Sequence, residues 1–340
     1  MSVPLIQVED LTVRFATDEG LVTAVDSTSF ELQPGEILGL VGESGSGKSV
    51  TAKALMQLNA GNTRYGEESR ITLNIESGSV EVLSLQRQRD LRVVRGGAVS
   101  MIFQEPMASF APAITIGHQM VEQLLIHTSK TKQQAKELSI EMLARVGISD
   151  ADQRFDQYAF ELSGGMRQRA MIAMALSTHP QLLIADEPTT ALDVTIQAQV
   201  LDLMKDLVNE FRMAILFITH DLGVIAQTAD RVAVMYLGRI VETGPVREVL
   251  RNPLHPYTQG LLHALPRLDA LDEPLTPVPG DIPSPLERPS GCVFNTRCPV
   301  AITGTCEVTI PARQQHGAEH SVSCHAVPAP VAPGPSELGA

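Results

Sequence analysis

The chain has 340 residues, of which 44% are hydrophobic and 19% charged, enough for one large core with a smaller appended unit. A formal net charge of −13 argues against a general nucleic-acid-binding protein, although it permits a ligand that needs only local positive potential. The sequence has no run of about 18 apolar residues and begins without a basic segment followed by an apolar one. We therefore expect neither a membrane span nor a signal peptide.

Two strands are predicted near the start, from Ile6 to Phe15 and from Ala24 to Leu32, with turn residues between them. Phe15 ends the first strand shortly before a glycine-rich loop. Its ring could stack on an adenine or serve as an ordinary core or edge aromatic, and the residue type leaves both open. Residues 59–78 are polar and glycine-rich, so we predict an irregular stretch at the edge of a sheet.

The glycine-rich loop fits the phosphate-binding pattern G-x-x-x-x-G-K-S/T, and its sequence is Gly42-Glu43-Ser44-Gly45-Ser46-Gly47-Lys48-Ser49. An apolar strand-like run precedes it, and a helix is predicted to start near Lys48 and to include Val50 to Leu58, as the motif requires. Glycines let the backbone N–H groups face phosphate oxygens, and the helix start adds positive potential. Lys48 would contact the β- and γ-phosphates and Ser49 would bind Mg²⁺. The predicted nucleotide contacts are Gly42, Ser44, Gly45, Ser46, Gly47, Lys48, Ser49 and Val50.

A short strand predicted from Val99 to Phe103 ends at Gln104, an amide that can bind Mg²⁺ or the attacking water beside a nucleotide. From Ile116 to Val146 the apolar spacing is helical, which predicts a helical insertion over about 105–177.

The segment Leu162-Ser163-Gly164-Gly165-Met166-Arg167-Gln168-Arg169 comes next. Ser163 can cap a helix running from Met166 to Leu176, and the two glycines expose N–H groups at its start. Two phosphate-type sites in one chain suggest that the second serves the nucleotide of another subunit. Ser163, Gly164, Gly165 and Gln168 are assigned to that surface.

Two buried strands deliver acid and imidazole groups to the predicted site. Residues 181–185 form a strand that ends in Asp186-Glu187; Asp186 would hold Mg²⁺ and Glu187 would orient or deprotonate the attacking water. Residues 214–218 form another strand, after which His220 could contact the γ-phosphate. Asp193 follows the acidic pair in Ala191-Leu192-Asp193.

A proline-rich stretch over 271–290 predicts an extended linker, and all four cysteines follow it: Cys292, Cys298, Cys306 and Cys324. Without a secretory signal, a metal site explains them better than disulfides. The segment from Gly291 to His325 has few apolar residues, so a metal centre would supply stability that a small core cannot. Zinc and free thiols remain alternatives, and His316, His320 and His325 are additional candidate ligands. Residues 327–340 are predicted to be disordered.

The chain resembles the ATPase subunit of an ATP-binding-cassette (ABC) transporter, because the phosphate loop, Gln104, the segment from Leu162 to Arg169, the acidic pair, Ala191-Leu192-Asp193 and His220 occur in that family's order. Within the family it looks like the oligopeptide/dipeptide importer branch. The segments that suggest this branch are 41–49, 101–107, 185–199, His255-Pro256-Tyr257-Thr258 and the cysteine tail. Residues 165–169 and 189–193 look like the first of two non-identical ATPase subunits.

The resemblance implies an α/β fold: a phosphate-loop ATPase core of mixed sheet with an antiparallel β subdomain, a helical insertion and a small metal-stabilised C-terminal extension. The implied layout is a nucleotide-binding domain at 1–250, a helix and linker at 251–290, an iron–sulfur region at 291–326 and a tail at 327–340. It implies a 4Fe–4S cluster on the four cysteines, with zinc as the alternative. Asp193 would belong to the loop after the acidic pair.

The resemblance also implies how the protein works. Two ATPase subunits would sandwich two ATP molecules head to tail, with the Ser163 segment of one facing the phosphate loop of the other. Gln104 would be a hinge for motion passed to two membrane permeases, at the cytoplasmic face of the inner membrane, and a separate binding protein would deliver peptides. Rival functions are import of an oligosaccharide, opine, glutathione-like peptide or nickel through the same branch, a soluble cassette ATPase in translation or DNA repair, and a binding module without hydrolysis.

Overall fold

The computed structural model describes residues 3–105, 109–189, 194–264 and 278–328. Within these ranges the strands form two sheets, and alternate residues of the larger sheet face two separate apolar cores. The α/β fold predicted from the sequence, with one antiparallel and one mixed sheet, is confirmed. None of the helices in the described ranges combines the length and apolar character needed to cross a membrane.

The first sheet is antiparallel and has the order β2-β1-β5-β6, with β4 paired to β1. Its strands are β1 (Ile6–Thr17), β2 (Gly20–Leu32), β4 (Thr63–Tyr65), β5 (Arg70–Ile75) and β6 (Gly78–Glu81). The prediction of an irregular stretch over 59–78 is therefore wrong. Only Ile71 and Leu73 in β5 are fully buried, and such a short alternation between polar turns gives a weak strand signal.

The second sheet is mixed and has the order β12-β13-β11-β10-β3-β9-β8-β7. Its strands are β3 (Ile37–Val41), β7 (Val99–Ile102), β8 (Leu182–Asp186), β9 (Ala214–Thr219), β10 (Arg231–Tyr236), β11 (Arg239–Pro245), β12 (Gln314–His316) and β13 (His320–Val322). The five strands from β10 to β7 in this order are parallel to one another. Their carboxyl ends therefore share one edge, where Gly42, Gln104, Glu187 and His220 follow β3, β7, β8 and β9.

The helices are α1 (Lys48–Ala54), α2 (Gln88–Val94), α3 (Ile116–His127), α4 (Lys132–Arg145), α5 (Ala151–Phe155), α6 (Gly164–Ser177), α7 (Val194–Phe211), α8 (Leu222–Thr228), α9 (Val246–Arg251) and α10 (Pro256–His263). The helical spacing from Ile116 to Val146 produces two helices rather than one. Thr131 caps the second of them, since its hydroxyl accepts from the Gln134 N–H and the Gln134 side chain bonds back to Thr131. Helices α3 to α6 follow one another between β7 and β8.

Two apolar cores lie on either side of the second sheet, and β3 shows how one strand serves both. Leu38 and Leu40 belong to the core shared with the first sheet, whereas Ile37 and Val41 belong to the core shared with the helices. All five residues of β3 are buried, as expected for a parallel strand covered on both faces.

The C-terminal region is not a separate unit, because it packs on the main core. Cys292, Val293, Phe294 and Cys306 belong to the larger core, and β13 extends the second sheet by pairing with β11. The expectation that this region needs a metal centre because it lacks a core of its own is therefore corrected: it shares the core of the rest of the chain. Pro274 and Pro277 of the predicted linker lie outside the described residues, as do 329–340 of the predicted tail.

Candidate functional site

The phosphate loop joins β3 to α1, and α1 begins at Lys48 as the sequence predicts. Two of its glycines are required by close backbone approaches. A Cβ atom at Gly42 would lie 2.1 Å from the Met235 carbonyl oxygen, and one at Gly47 would lie 2.5 Å from the Ala24 carbonyl oxygen. Gly47 also has φ of 102°, a conformation that only glycine adopts without strain. The loop is thus packed tightly between β2 and β10.

Lys48 lies inside this loop and is only 6% exposed. Its Nζ donates to the carbonyl oxygens of Gly42 at 2.8 Å and Glu43 at 2.9 Å, and contacts Ser46 Oγ at 3.3 Å. Burial lowers the pKa of Lys48, while the carboxylates of Glu187, Asp186 and Glu43 oppose that shift. The ammonium group is therefore held at the centre of the loop.

A cavity of about 190 Å³ lies over the loop. Its lining includes the predicted residues Ser44, Gly45, Ser46, Gly47, Lys48, Ser49, Val50, Gln104 and Glu187. The lining also includes residues that were not predicted, since strand, turn and linker residues of ordinary type carry no local signal: Thr23, Ala24, Leu237 and Pro285. None of the described residues that line this cavity belongs to β1. Phe15, in β1, is partly buried and packs against the core of the first sheet, so its contact with adenine stays a prediction.

Two of the three predicted magnesium ligands, Ser49 and Asp186, meet beside this cavity, and with the third, Gln104, they line an adjoining one. Ser49 Oγ donates to Asp186 Oδ1 at 3.0 Å, across 137 positions in the sequence. Burial raises the pKa of Asp186, and the bond from Ser49 acts in the opposite direction. A hydroxyl and a carboxylate oxygen are the hard ligands that Mg²⁺ prefers, so the donor set fits the ion.

Glu187 is held between the other two predicted catalytic residues. Gln104 Nε2 donates to Glu187 Oε2 at 3.2 Å, and His220 Nδ1 lies 3.1 Å from Glu187 Oε1. The Glu187 backbone has φ of 49°, a strained conformation for a residue with a side chain and one found most often at functional sites. Contacts to both of its oxygens therefore fix the Glu187 carboxylate in the lining of the cavity.

The Ser163 segment lies away from this cavity. Ser163 caps α6 as predicted, because its Oγ accepts from the Met166 N–H at 3.3 Å, and Ser163 and Gly164 are exposed. Gln168 departs from its prediction: its side chain is buried and donates to the Pro188 carbonyl oxygen within the same chain. It therefore supports the strand end that carries Glu187 rather than an outer surface. Asp193 lies outside the described residues.

The four cysteines come together although their sequence positions are far apart. Burial and, to a smaller extent, the nearby thiols of the other three cysteines raise the pKa of Cys292 to about 11. The backbone N–H of Ile302 donates to Cys306 Sγ at 3.3 Å. The N–H groups of Phe294, Val300, Ala326 and Val327 lie near the sulfurs of Cys292, Cys298 and Cys324 and act to lower the pKa of these thiols, against the larger effect of burial. Such N–H groups favour the thiolate, the form that binds metals, but burial is the larger effect and raises the pKa of Cys292, Cys298 and Cys324.

The described cysteine and histidine side chains of this region do not form a binding site for a single metal ion. Within the described residues, no group of three or more His, Cys, Asp or Glu side chains is arranged to hold one metal ion. Two of the predicted histidine ligands have other partners, since His320 Nε2 lies 2.7 Å from Glu242 Oε1 and His325 Nε2 lies 2.9 Å from the Thr309 carbonyl oxygen.

Comparison with known proteins agrees with this geometry. Residues 25–190 match the ABC transporter family, and residues 241–306 match the family described as "Oligopeptide/dipeptide transporter, C-terminal region". The chain is 48% identical to a "Putative peptide import ATP-binding protein" of Brucella abortus, over 94% of this chain and 96% of the relative. It is 51% identical to the "Oligopeptide transport ATP-binding protein OppD" of Salmonella typhimurium, over 88% of this chain and 87% of the relative.

Solved structures share the fold at lower identity. An ATP-binding cassette solved as a dimer in a post-hydrolysis state with ADP and Pi matches with a TM-score of 0.63 at 22% identity, covering 71% of this chain and 99% of that one. CbiO1 from Clostridium perfringens matches with a TM-score of 0.60 at 23% identity, covering 74% and 92%. From the two family matches and the identity to full-length relatives, the chain belongs to the ATPase subunits of ABC transporters, in the oligopeptide/dipeptide branch.

Proposed function

We propose that this ABC ATPase binds and hydrolyses ATP at the cavity over the phosphate loop and thereby powers the import of peptides through membrane permeases. The observation that carries the catalytic part is the Glu187 carboxylate, which lines that cavity and is positioned by Gln104 and His220. The peptide substrate is inferred from the names of the relatives, which are 48–51% identical over most of the chain.

Each residue of the cavity has a distinct task in the proposed reaction. Lys48 leaves its bonds to the loop carbonyls and contacts the β- and γ-phosphates of ATP. Ser49 and Asp186 would hold Mg²⁺, which neutralises charge developing on the phosphates. Glu187 orients the attacking water and accepts its proton, while His220 contacts the γ-phosphate. Gln104 donates a hydrogen bond to the Glu187 carboxylate. It acts as the hinge through which conformational change at the nucleotide site is transmitted to helices α3 to α6.

A second ATPase subunit completes the site in this proposal. Ser163 and Gly164 are exposed at the start of a 14-residue helix, so their backbone N–H groups can face the phosphates of a nucleotide on the partner. Head-to-tail pairing then forms two composite sites. In the same proposal the two ATPase subunits attach to the membrane permeases at the cytoplasmic face of the membrane, and a separate binding protein delivers the peptide.

Transport is the direct test of the peptide assignment. We expect the chain, reconstituted in proteoliposomes with its permeases, its second ATPase and its binding protein, to take up labelled peptide only with MgATP. The Lys48→Ala complex is the matched control, because it removes the phosphate-contacting charge and leaves the permeases unchanged. ATP-dependent uptake of a sugar, an opine or nickel but not peptide would contradict the substrate, and association with ribosomes or DNA instead of permeases would contradict transport.

We further propose that Cys292, Cys298, Cys306 and Cys324 hold a 4Fe–4S cluster. The support is a set of four thiols that lie close enough together to interact electrostatically, one of which accepts a backbone N–H bond, from Ile302 to Cys306 Sγ. A four-iron cluster binds each thiolate to a different iron atom and so holds the thiolates farther apart than one zinc ion does. The cluster would be structural, because ATP hydrolysis transfers no electrons.

Metal analysis decides between a cluster, zinc and free thiols. We expect anaerobically purified protein to contain about four irons and four acid-labile sulfides per chain. Cys298→Ser should lower both, while Ser323→Ala, next to Cys324, should leave them unchanged. Stoichiometric zinc without sulfide, or iron that Cys298→Ser does not reduce, would refute the cluster.

A further inference from the structure

An ion pair between a buried arginine and a partly exposed glutamate connects the C-terminal region to the phosphate loop. Arg297 donates from its two terminal nitrogens to the two carboxylate oxygens of Glu43, at 2.7 and 3.1 Å, across 254 positions of sequence. Arg297 lies between Cys292 and Cys298, and Glu43 is the second residue of the loop. The contact is a two-point pairing, the geometry that guanidinium and carboxylate groups favour.

Burial, hydrogen bonds and a neighbouring aromatic ring hold the Arg297 side chain in this position. Its side chain is 3% exposed, its Nε donates to the Pro279 carbonyl oxygen at 2.8 Å, and a terminal nitrogen donates to the Val278 carbonyl oxygen at 3.2 Å. Its guanidinium carbon lies 5.7 Å from the ring centre of Tyr236. An arginine keeps its charge in proteins, and a buried charge without a counter-ion is costly, so Arg297 depends on Glu43.

Glu43 is in turn fixed at three points. Its carboxylate accepts from Arg297, its N–H donates to Tyr257 Oη at 2.9 Å, and its carbonyl oxygen accepts from Lys48 Nζ at 2.9 Å. Tyr257 and Arg297 both come from the chain beyond β11. Glu43, whose carbonyl oxygen contacts the phosphate-binding Lys48, is therefore positioned by the C-terminal part of the protein.

Charge gives this contact a role in binding. An unpaired carboxylate in a loop that receives a triphosphate would repel its ligand, and the repulsion is stronger at a partly buried position such as Glu43, 27% exposed, than between groups in open water. We propose that Arg297 is a positioning residue of the nucleotide site: it neutralises Glu43 and holds the loop through it, so nucleotide affinity depends on the C-terminal region. This inference rests on the nucleotide binding proposed above.

Nucleotide affinity in a double-mutant cycle tests the inference. The full-length chain is titrated with Mg²⁺ and a fluorescent non-hydrolysable ATP analogue, for wild type, Arg297→Ala, Glu43→Ala and the double variant. We expect Arg297→Ala to weaken binding about 5- to 150-fold in the wild-type background, the usual range for coupled sites, and to have little further effect when Glu43 is absent. Arg297→Lys keeps the charge without the two-point contact and should restore part of the affinity.

Arg313→Ala is the matched control, since this arginine of the same region donates to Ser321 and should leave affinity unchanged. Equal losses from Arg297→Ala in both backgrounds, or no loss at all, would overturn the inference. If Arg297→Ala does not fold, the cycle is run with Arg297→Lys, and the same outcomes decide. Unchanged affinity in Lys48→Ala would instead refute the proposed nucleotide site itself.

Hydrogen exchange distinguishes a positioning role of Arg297 at the nucleotide site from a general effect of this residue on the stability of the fold. Coupling between two sites is reciprocal, so nucleotide should slow backbone exchange in residues 291–306 of the wild-type chain. That protection should disappear in Arg297→Ala and persist in Arg313→Ala. Nucleotide-dependent protection that survives Arg297→Ala would show that the two regions communicate by another route and would refute the role of this residue.

Discussion

We expect Glu187→Gln to bind MgATP with near wild-type affinity and to hydrolyse it about 10²–10⁴-fold more slowly in the assembled transporter, the usual contribution of a positioned general base. An amide keeps the size of the side chain and can still bond to Gln104 and His220, but it cannot accept the proton of the attacking water. The loss should therefore fall on kcat, while nucleotide binding at the phosphate loop continues.

Steady-state hydrolysis and nucleotide affinity are measured on the same reconstituted complex. Glu68→Gln is the matched control, because it makes the same chemical change at an exposed position of the first sheet's connecting segment. Full turnover by Glu187→Gln would remove this residue from the reaction. A loss of affinity as large as the loss of turnover would assign Glu187 to binding instead.

The chain alone should be a poor ATPase, with turnover about 10²–10³-fold below that of the complete complex, the size of effect seen when preorganised N–H donors are removed from a reacting group. The reason is that the Ser163 segment lies outside the cavity of its own chain, so the donors must come from a partner. Turnover of the isolated chain is compared with that of the complex containing the second ATPase and the permeases.

Lys48→Ala serves as the blank for contaminating ATPases in both preparations. A monodisperse single chain with the full turnover of the complex would contradict the composite site. A partner subunit that stimulates hydrolysis even when its own Ser163-type segment is disrupted would contradict it equally, because stimulation would then have another cause.

The parts of the site that the sequence could predict are those set by local pattern. The phosphate loop, Asp186 and Glu187, and His220 each follow an apolar strand, and parallel strands bring such ends to one edge. Ser163 was predictable as a helix cap because capping acts over three residues.

What could not be predicted depends on contacts between distant segments. Strands β4 to β6 are too short to give a periodic signal, and Gln168 turns inward because Pro188 offers an acceptor that no local pattern reveals. The docking of the cysteine region rests on Phe294, whose ring meets those of Tyr236 and Tyr257 in the core. The pairing of Arg297 with Glu43 is of the same kind.

The position of β3 in its sheet has a consequence for synthesis of the protein. This strand hydrogen-bonds to β9 on one side and β10 on the other, and both are translated long after the phosphate loop has left the ribosome. A nascent chain that stops before residue 214 leaves both edges of a fully apolar strand unpaired, which is a template for aggregation. We therefore expect chains truncated before residue 214 to aggregate, or to be bound by chaperones and degraded, rather than to fold into a weakly active enzyme.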